Sequence, residues 1–286
     1  MLEHERVSDF IKETALLYPD AVFVVTGDLL NVFPEPGEDL RGSIFHEIYG
    51  DMIIEAMNDL VKTRFQSIKD SPFLEPLYQM FAPTGKNFDW ACSIARKRYQ
   101  KLFTKLKIIL EKFVNLKFLF IPGNMDYPYL SAIEIAKNPL FLQLDNAVFK
   151  KDGVQIGGLG GIPNTAHPFR NVIEISPYEM HEAEYERRLN LLSGVDVLLT
   201  HLSPNEYPGL KKFLQTTSVK LLICRAPFNF NRDVDFRGEL KIQTNEGKSV
   251  IMVRPFDFPC NHFFKVTLKA DQLNPPLLSF HRWHAA

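Results

Sequence analysis

Hydrophobic residues recur along this chain in two periods, and the alternation between them outlines the elements. Val7, Phe10, Ile11, Ala15 and Tyr18 repeat at helical spacing and predict a helix from about residue 5 to 17. Pro19-Asp20 closes it, and residues 21–26 form a continuous apolar, β-branched run that reads as a buried strand. Helix, strand and Gly27-Asp28 turn make half of a βαβ unit whose first strand is missing.

The next stretch reads differently. Pro34, Pro36, Gly37 and Gly42 mark a loop, after which Phe45, Ile48, Tyr49, Met52, Ile53, Ala56 and Leu60 return to helical spacing. Pro72, Pro76 and Pro83 interrupt it, and Trp90, Ile94, Leu102, Leu106, Ile109 and Phe113 predict a second long helix. Residues 37–113 therefore read as a mostly helical insertion between two strands, either a cap over a sheet edge or core helices remote from any site.

From Lys117 the alternation quickens. A strand at 117–121 precedes a helix at about 128–137, then strands near 146–149 and 154–160. A helix around 177–193 leads to a strand at 195–200, and further strands are expected near 219–224, 249–254, 262–268 and 277–281. The fold class is α/β, with a mixed sheet or two sheets packed face to face, in a single domain over 1–286.

Composition narrows the setting. A hydrophobic fraction of 45% and a charged fraction of 23% are ordinary for a globular enzyme. A formal net charge of −1 gives no overall field to hold nucleic acid or an anionic membrane. No apolar run approaches the roughly 20 residues of a membrane span. The charged N-terminus opens into a helical pattern and does not resemble a signal peptide. Cys92, Cys224 and Cys260 are far apart and form no Cys-x-x-Cys pair, so the expected location is the reducing cytoplasm.

Candidate chemistry collects at three strand ends. Val24-Val-Thr-Gly-Asp28-Leu-Leu-Asn31, Phe120-Ile-Pro-Gly-Asn124-Met125-Asp126 and Leu198-Leu-Thr-His201-Leu-Ser-Pro each run from a buried strand into a turn. The carboxyl ends of strands are where an α/β sheet presents a metal or phosphate site. Asp28 offers a carboxylate, Asn124 a neutral oxygen and His201 a nitrogen, all suited to a divalent ion.

In this order the three islands, with Gly157-Gly-Leu-Gly-Gly161 before the His201 strand, resemble the calcineurin-like metallophosphoesterases. The pattern of that family is Asp-x-His, Gly-Asp, Gly-Asn-His-Asp/Glu, a strand-end His and Gly-His-x-His. The resemblance covers most of the chain and implies two packed mixed β-sheets flanked by helices, an α-β-β-α sandwich, here with a helical insertion. It also implies phosphoester hydrolysis by water activated at a pair of divalent ions such as Mn, Fe, Zn or Mg. Asp28 then matches the bridging carboxylate, and Asn124 and His201 match metal ligands.

The departures from the pattern are specific. The Asp-x-His strand would fall before Met1. Met125 stands where the family has a His that steadies the leaving group, and a thioether carries neither proton nor charge. Cys224-Arg225-Ala226-Pro227 occupies the place of Gly-His-x-His. Candidate substitutes toward phosphate are Asp126, Arg225, Arg254, His262 and Asn31, since a guanidinium fork binds phosphate where a metal is lacking.

Other chemistries find less support. Gly158-Leu159-Gly160-Gly161 runs into Pro163 and opens no helix, against a dinucleotide loop. Ser203 follows His201 outside any Gly-x-Ser-x-Gly turn. Cys260-Asn261-His262 lacks partners at zinc spacing. Arg96-Lys97-Arg98 and Lys101 read as the solvated face of a helix, with nucleic acid only weakly supported. Two functions are thus expected: a phosphoester hydrolase with a degenerate dimetal site, or a catalytically inactive relative that binds a phosphorylated ligand or another protein. A missing first strand would leave a sheet edge for a partner or a second copy to cover.

Overall fold

The computed structural model describes residues 4–27, 29, 84–113, 116–166, 177–224, 239–243, 249–253, 262–267 and 277–282; for 4–10 and for the last four of these strands the description covers backbone only. In chain order the elements are α1 (His4–Leu17), β1 (Val22–Thr26), α2 (Phe88–Leu110), β2 (Lys117–Ile121), α3 (Pro128–Ile135), β3 (Phe141–Gln143), β4 (Ala147–Lys151), β5 (Val154–Leu159), β6 (Ile162–Pro163) and β7 (Glu179–Met180). They continue through α4 (Glu182–Asn190), β8 (Val197–Thr200), α5 (Pro208–Thr216), β9 (Leu221–Cys224), β10 (Glu239–Gln243), β11 (Ser249–Val253), β12 (His262–Thr267) and β13 (Leu277–Arg282). The described residues thus form a mixed α/β fold with several sheets and five α-helices.

Two sheets matter for the site. The first is parallel, in the order β1-β2-β3, with Val22 opposite Lys117 and Phe118 opposite Phe141. The second runs β10-β11-β9-β8-β5-β4; its four inner strands are parallel and both edge strands antiparallel. β12 and β13 pair as a separate antiparallel hairpin.

Side-chain parity along the strands divides the interior. Phe118 and Phe120 of β2, with Phe23 and Val25 of β1, join the apolar residues of α1, α2 and α3. Their neighbours Leu119 and Ile121, with Val22 and Val24, instead meet Ile156, Val197, Leu199 and Leu221 of the second sheet. On that sheet Leu198 and Leu222 turn away from the first and pack with Leu189, Leu210, Phe213 and Leu214 of α4 and α5. A period of two forces this partition, because successive strand residues face opposite sides. Each fully buried Leu or Phe contributes about 1.5–3 kcal/mol.

Helix α2 forms where the spacing predicts, but its buried stripe is shifted: of the expected positions Leu102 and Leu106 are buried, Ile94 and Ile109 half-buried, and Trp90 exposed. Ala91, Cys92, Ala95, Tyr99, Leu102, Phe103, Leu106 and Leu110 are buried at three- and four-residue intervals, with Asp89 in the first turn and Lys107 in the last, where each suits the helix dipole. Arg96, Lys97 and Lys101 are exposed, as a solvated helix face requires. No helix among the described residues is long and apolar enough to cross a membrane. The helix expected around residues 45–60 lies outside the described residues.

Some elements differ from the sequence expectation. The helix expected at 177–193 is confined to α4, because Glu179–Met180 pairs in parallel with Ile162–Pro163 before it. Strands β3 and β10 and helix α5 were not anticipated. β3 has only three residues, and α5 spends its first turn on Pro208 and Gly209, so neither carries enough periodicity to stand out. β1, at one end of the first sheet, pairs only with β2 among the described residues.

Candidate functional site

The three strand-end turns of the sequence meet. Gly27 follows β1 with φ +106°, and a Cβ placed on it would lie 2.0 Å from His201 Nδ1 and 2.8 Å from Gly123 Cα. Only glycine fits there, on conformation and on space alike. On the other side the glycine run after β5 closes on the β2 turn. The Gly161 amide donates to the Pro122 carbonyl at 2.9 Å, and a Cβ on Gly160 would lie 2.7 Å from that same oxygen. The C-terminal ends of β1 and β2 in the first sheet and of β5 and β8 in the second therefore converge, which topology permits because all four strands run parallel to their inner neighbours.

His201 is fully buried at the centre of this convergence. Its Nδ1 lies 2.9 Å from the Thr26 carbonyl oxygen and its Nε2 lies 3.0 Å from Asn124 Oδ1. The Asn124 amide nitrogen in turn donates to Met125 Sδ at 3.2 Å, a weak acceptor. Both ring nitrogens thus face oxygens, and because a backbone carbonyl can only accept, the bond to Thr26 requires the proton on Nδ1. The contact between Nε2 and Asn124 Oδ1 is then met in one of three ways: a second ring proton, a reversed amide that gives up its bond to Met125, or a cation shared by both atoms.

The spacing accommodates the third as well as a hydrogen bond: ligands at about 2.1 Å from a six-coordinate ion and at right angles to each other lie about 3 Å apart, and Asn124 Oδ1 and His201 Nε2 are 3.0 Å apart. An Nδ1–H held by a backbone carbonyl is also how a metal-bound histidine is oriented and kept in the correct tautomer. Among the described residues no group of three or more His, Cys, Asp or Glu side chains is placed to hold a metal. Asp28, which adjoins Gly27 in sequence, lies outside the described residues.

Asp126, expected as a candidate toward phosphate, is fully buried, and its carboxylate is engaged by the protein itself. Oδ2 accepts from the Gly123 amide at 2.8 Å and from the Leu29 amide at 3.2 Å, and Oδ1 accepts from the Tyr99 hydroxyl at 2.9 Å. Such a carboxylate shapes the turns. Met125 is buried and joins the apolar core on the α2 side. Asn31, Arg225 and Arg254 lie outside the described residues, and of His262 only the backbone, at the first position of β12, is described.

Sequence reasoning missed two groups close to these turns. Tyr99, on α2, donates to Asp126 and accepts from the Tyr127 amide at 3.1 Å; burial first, and then the neighbouring Asp126 charge, pushes its phenol far above the usual range. The available signal was a tyrosine on the buried face of a helix, since a buried hydroxyl needs a partner. Tyr178 donates its backbone amide to the Asn124 carbonyl at 3.0 Å, and its hydroxyl to Asp145, while receiving one from Arg188 Nη1 at 2.9 Å. Burial and the Asp145 charge raise the Tyr178 phenol as well.

Comparison with known proteins adds no relative: no protein-family model matches the chain, and no curated protein matches it.

Proposed function

We propose that the chain is a metallophosphoesterase-like α-β-β-α sandwich whose convergent strand ends bind a divalent ion and support slow phosphoester hydrolysis. One observation carries the reading: with Nδ1 protonated toward Thr26, the His201 Nε2 lone pair and Asn124 Oδ1 converge at 3.0 Å. The division of the strand side chains between two helix-facing cores and one core between the sheets supports the fold assignment. Asn124, His201 and, from its sequence position, Asp28 would hold the ion. Bound there, it would supply Lewis acidity toward a phosphoryl oxygen and lower the pKa of a water.

The residues of the chain then have separable tasks. Thr26 holds the His201 ring by its carbonyl and sets the tautomer in which Nε2 carries no proton. Gly27 lets the ring approach, and the Tyr178 amide fixes the Asn124 backbone. Met125 carries no proton, so a leaving group departing past it receives none from this turn. That single residue favours the second reading, a site that binds a phosphorylated ligand without hydrolysing it.

The test is Mn²⁺ titration of the purified chain, paired with hydrolysis of an aryl phosphate. Saturable Mn²⁺ uptake that falls at least tenfold in both Asn124→Ala and His201→Ala is the expected result. Uptake without turnover would establish the binding-only reading. No uptake by the unaltered chain would overturn the metal site altogether.

A further inference from the structure

The site turns are held by a residue far from them in sequence. Helix α2 buries Tyr99 completely, and its hydroxyl meets the turn after β2 twice: it donates to Asp126 Oδ1 at 2.9 Å and accepts from the Tyr127 amide at 3.1 Å. The other oxygen of the same carboxylate takes the Gly123 amide at 2.8 Å and the Leu29 amide at 3.2 Å. Gly123 immediately precedes Asn124, and Leu29 immediately follows Asp28. One buried carboxylate thus ties two strand-end turns together, and one helix holds that carboxylate in place.

We infer that Tyr99 is a positioning residue for the cation site, acting through Asp126 to set the spacing between the turn that carries Asn124 and the turn after β1. The inference rests on the divalent-ion reading of Asn124 and His201. Its physical basis is the cost of error at a metal: ligands must lie within about 0.5 Å of their productive places, and only locked supporting side chains keep them there. The Asp126 carboxylate alone does not lock the pair. With the Tyr99 hydroxyl removed, Oδ1 loses this donor and the Tyr127 amide this acceptor, both away from water, and the carboxylate is held less firmly in its present orientation. The two amides on Oδ2 are then held less firmly as well. Because Tyr99 belongs to α2, which lies between β1 and β2 in the chain, this contact also links that helix to the site.

Tyr99→Phe deletes the hydroxyl and keeps the ring, which stacks on Phe103 with centroids 6.1 Å apart. Tyr185→Phe is the matched control. Tyr185 is likewise fully buried, and its hydroxyl has no hydrogen-bond partner among the described residues. Both variants of the full chain would be compared with the parent by Mn²⁺ titration and by the amide resonances of Gly123 and Leu29, which hydrogen-bonding to a carboxylate displaces from ordinary values. The expected result is a loss of at least tenfold in Mn²⁺ affinity and moved Gly123 and Leu29 resonances in Tyr99→Phe, with neither change in Tyr185→Phe. Mn²⁺ affinity within twofold of the parent would overturn the inference, even if the melting temperature fell, because that would leave Tyr99 a structural role only. Should the parent itself take up no Mn²⁺, the cation reading fails. The resonances then decide the clasp alone: moved, they support it, and unmoved, they overturn it.

Discussion

The turn after β2 and the turn after β8 face each other across the site, yet they are held in opposite ways. At the β2 turn the decisive partners come from afar in sequence: Leu29 and Tyr99 reach Asp126 across 97 and 27 residues. At the β8 turn, apart from the His201 ring and the Tyr207 hydroxyl, which donates to Glu186 at 3.3 Å, the bonds described are local. The Thr200 hydroxyl donates to the Leu202 carbonyl at 2.6 Å, the Ser203 amide to Glu206 at 2.9 Å, and the Glu206 and Tyr207 amides to the Ser203 carbonyl at 3.0 and 3.1 Å. A locally bonded turn forms once its own few residues are in place. A turn assembled on distant partners forms only when the rest of the fold is complete, so its geometry reports on α2 and β1 as well as on itself. Of the two buried oxygen-bearing side chains in Gly-Asn-Met-Asp, Asp126 builds the turn and Asn124 faces His201.

The sharpest way to break this contrast is Asp126→Ala. It strands the Gly123 and Leu29 amides and the Tyr99 hydroxyl, and each buried polar group left without a partner costs about 1–3 kcal/mol. A loss of about 3 kcal/mol or more in urea unfolding is expected. A loss under about 1 kcal/mol would mean that the β2 turn does not depend on its distant partners.

A second effect appears at high pH. The Tyr99 phenol is raised well above 10.0 in the folded chain, by burial first and by Asp126 next. A group whose folded pKa is raised contributes its full stability below the unfolded value and loses it as pH climbs past that value. Stability should therefore hold up to about pH 10 and fall above it, by about 1.4 kcal/mol per pH unit for each phenol that ionises only on unfolding. Tyr99→Phe should remove one such increment from the slope. An unchanged slope would show that Tyr99 is not held neutral by this environment.

The smallest effect belongs to the β8 turn. Glu206→Gln keeps an oxygen acceptor for the Ser203 amide and removes only its charge, so a loss of about 0.5–1 kcal/mol is expected by chemical denaturation. A cost as large as that of Asp126→Ala would erase the distinction between the two turns.

Much of the framework was legible in the residues. β2 occupies the residues its apolar run predicts, α1 begins and ends within a residue of expectation, and α2 follows its three-and-four spacing, because local period and flanking Pro or Gly residues determine where such elements start and stop. The meeting of Gly27, Asn124 and His201 was also foreseeable, since strand-end turns of parallel strands open on one side. β3 and α5 were not legible: three residues, or nine beginning Pro-Gly, are too few for a period, and only pairing with β2 or packing beside Leu189 and Leu222 makes them ordered. Tyr99 was invisible as a site residue because nothing in a helix register says which distant turn will meet its hydroxyl.

By itself, then, the sequence determined the α/β alternation, the glycines that allow close approach and the residue types offered at three strand ends, all properties of local period and of single side chains. Only the tertiary structure decided that Asp126 turns inward to tie the turns while Asn124, two residues earlier, turns to face His201. It also decided that the two ring nitrogens of His201 face the Thr26 carbonyl and Asn124 Oδ1. Those outcomes depend on which partners lie opposite in space, and no spacing along the chain encodes that until the two sheets pack.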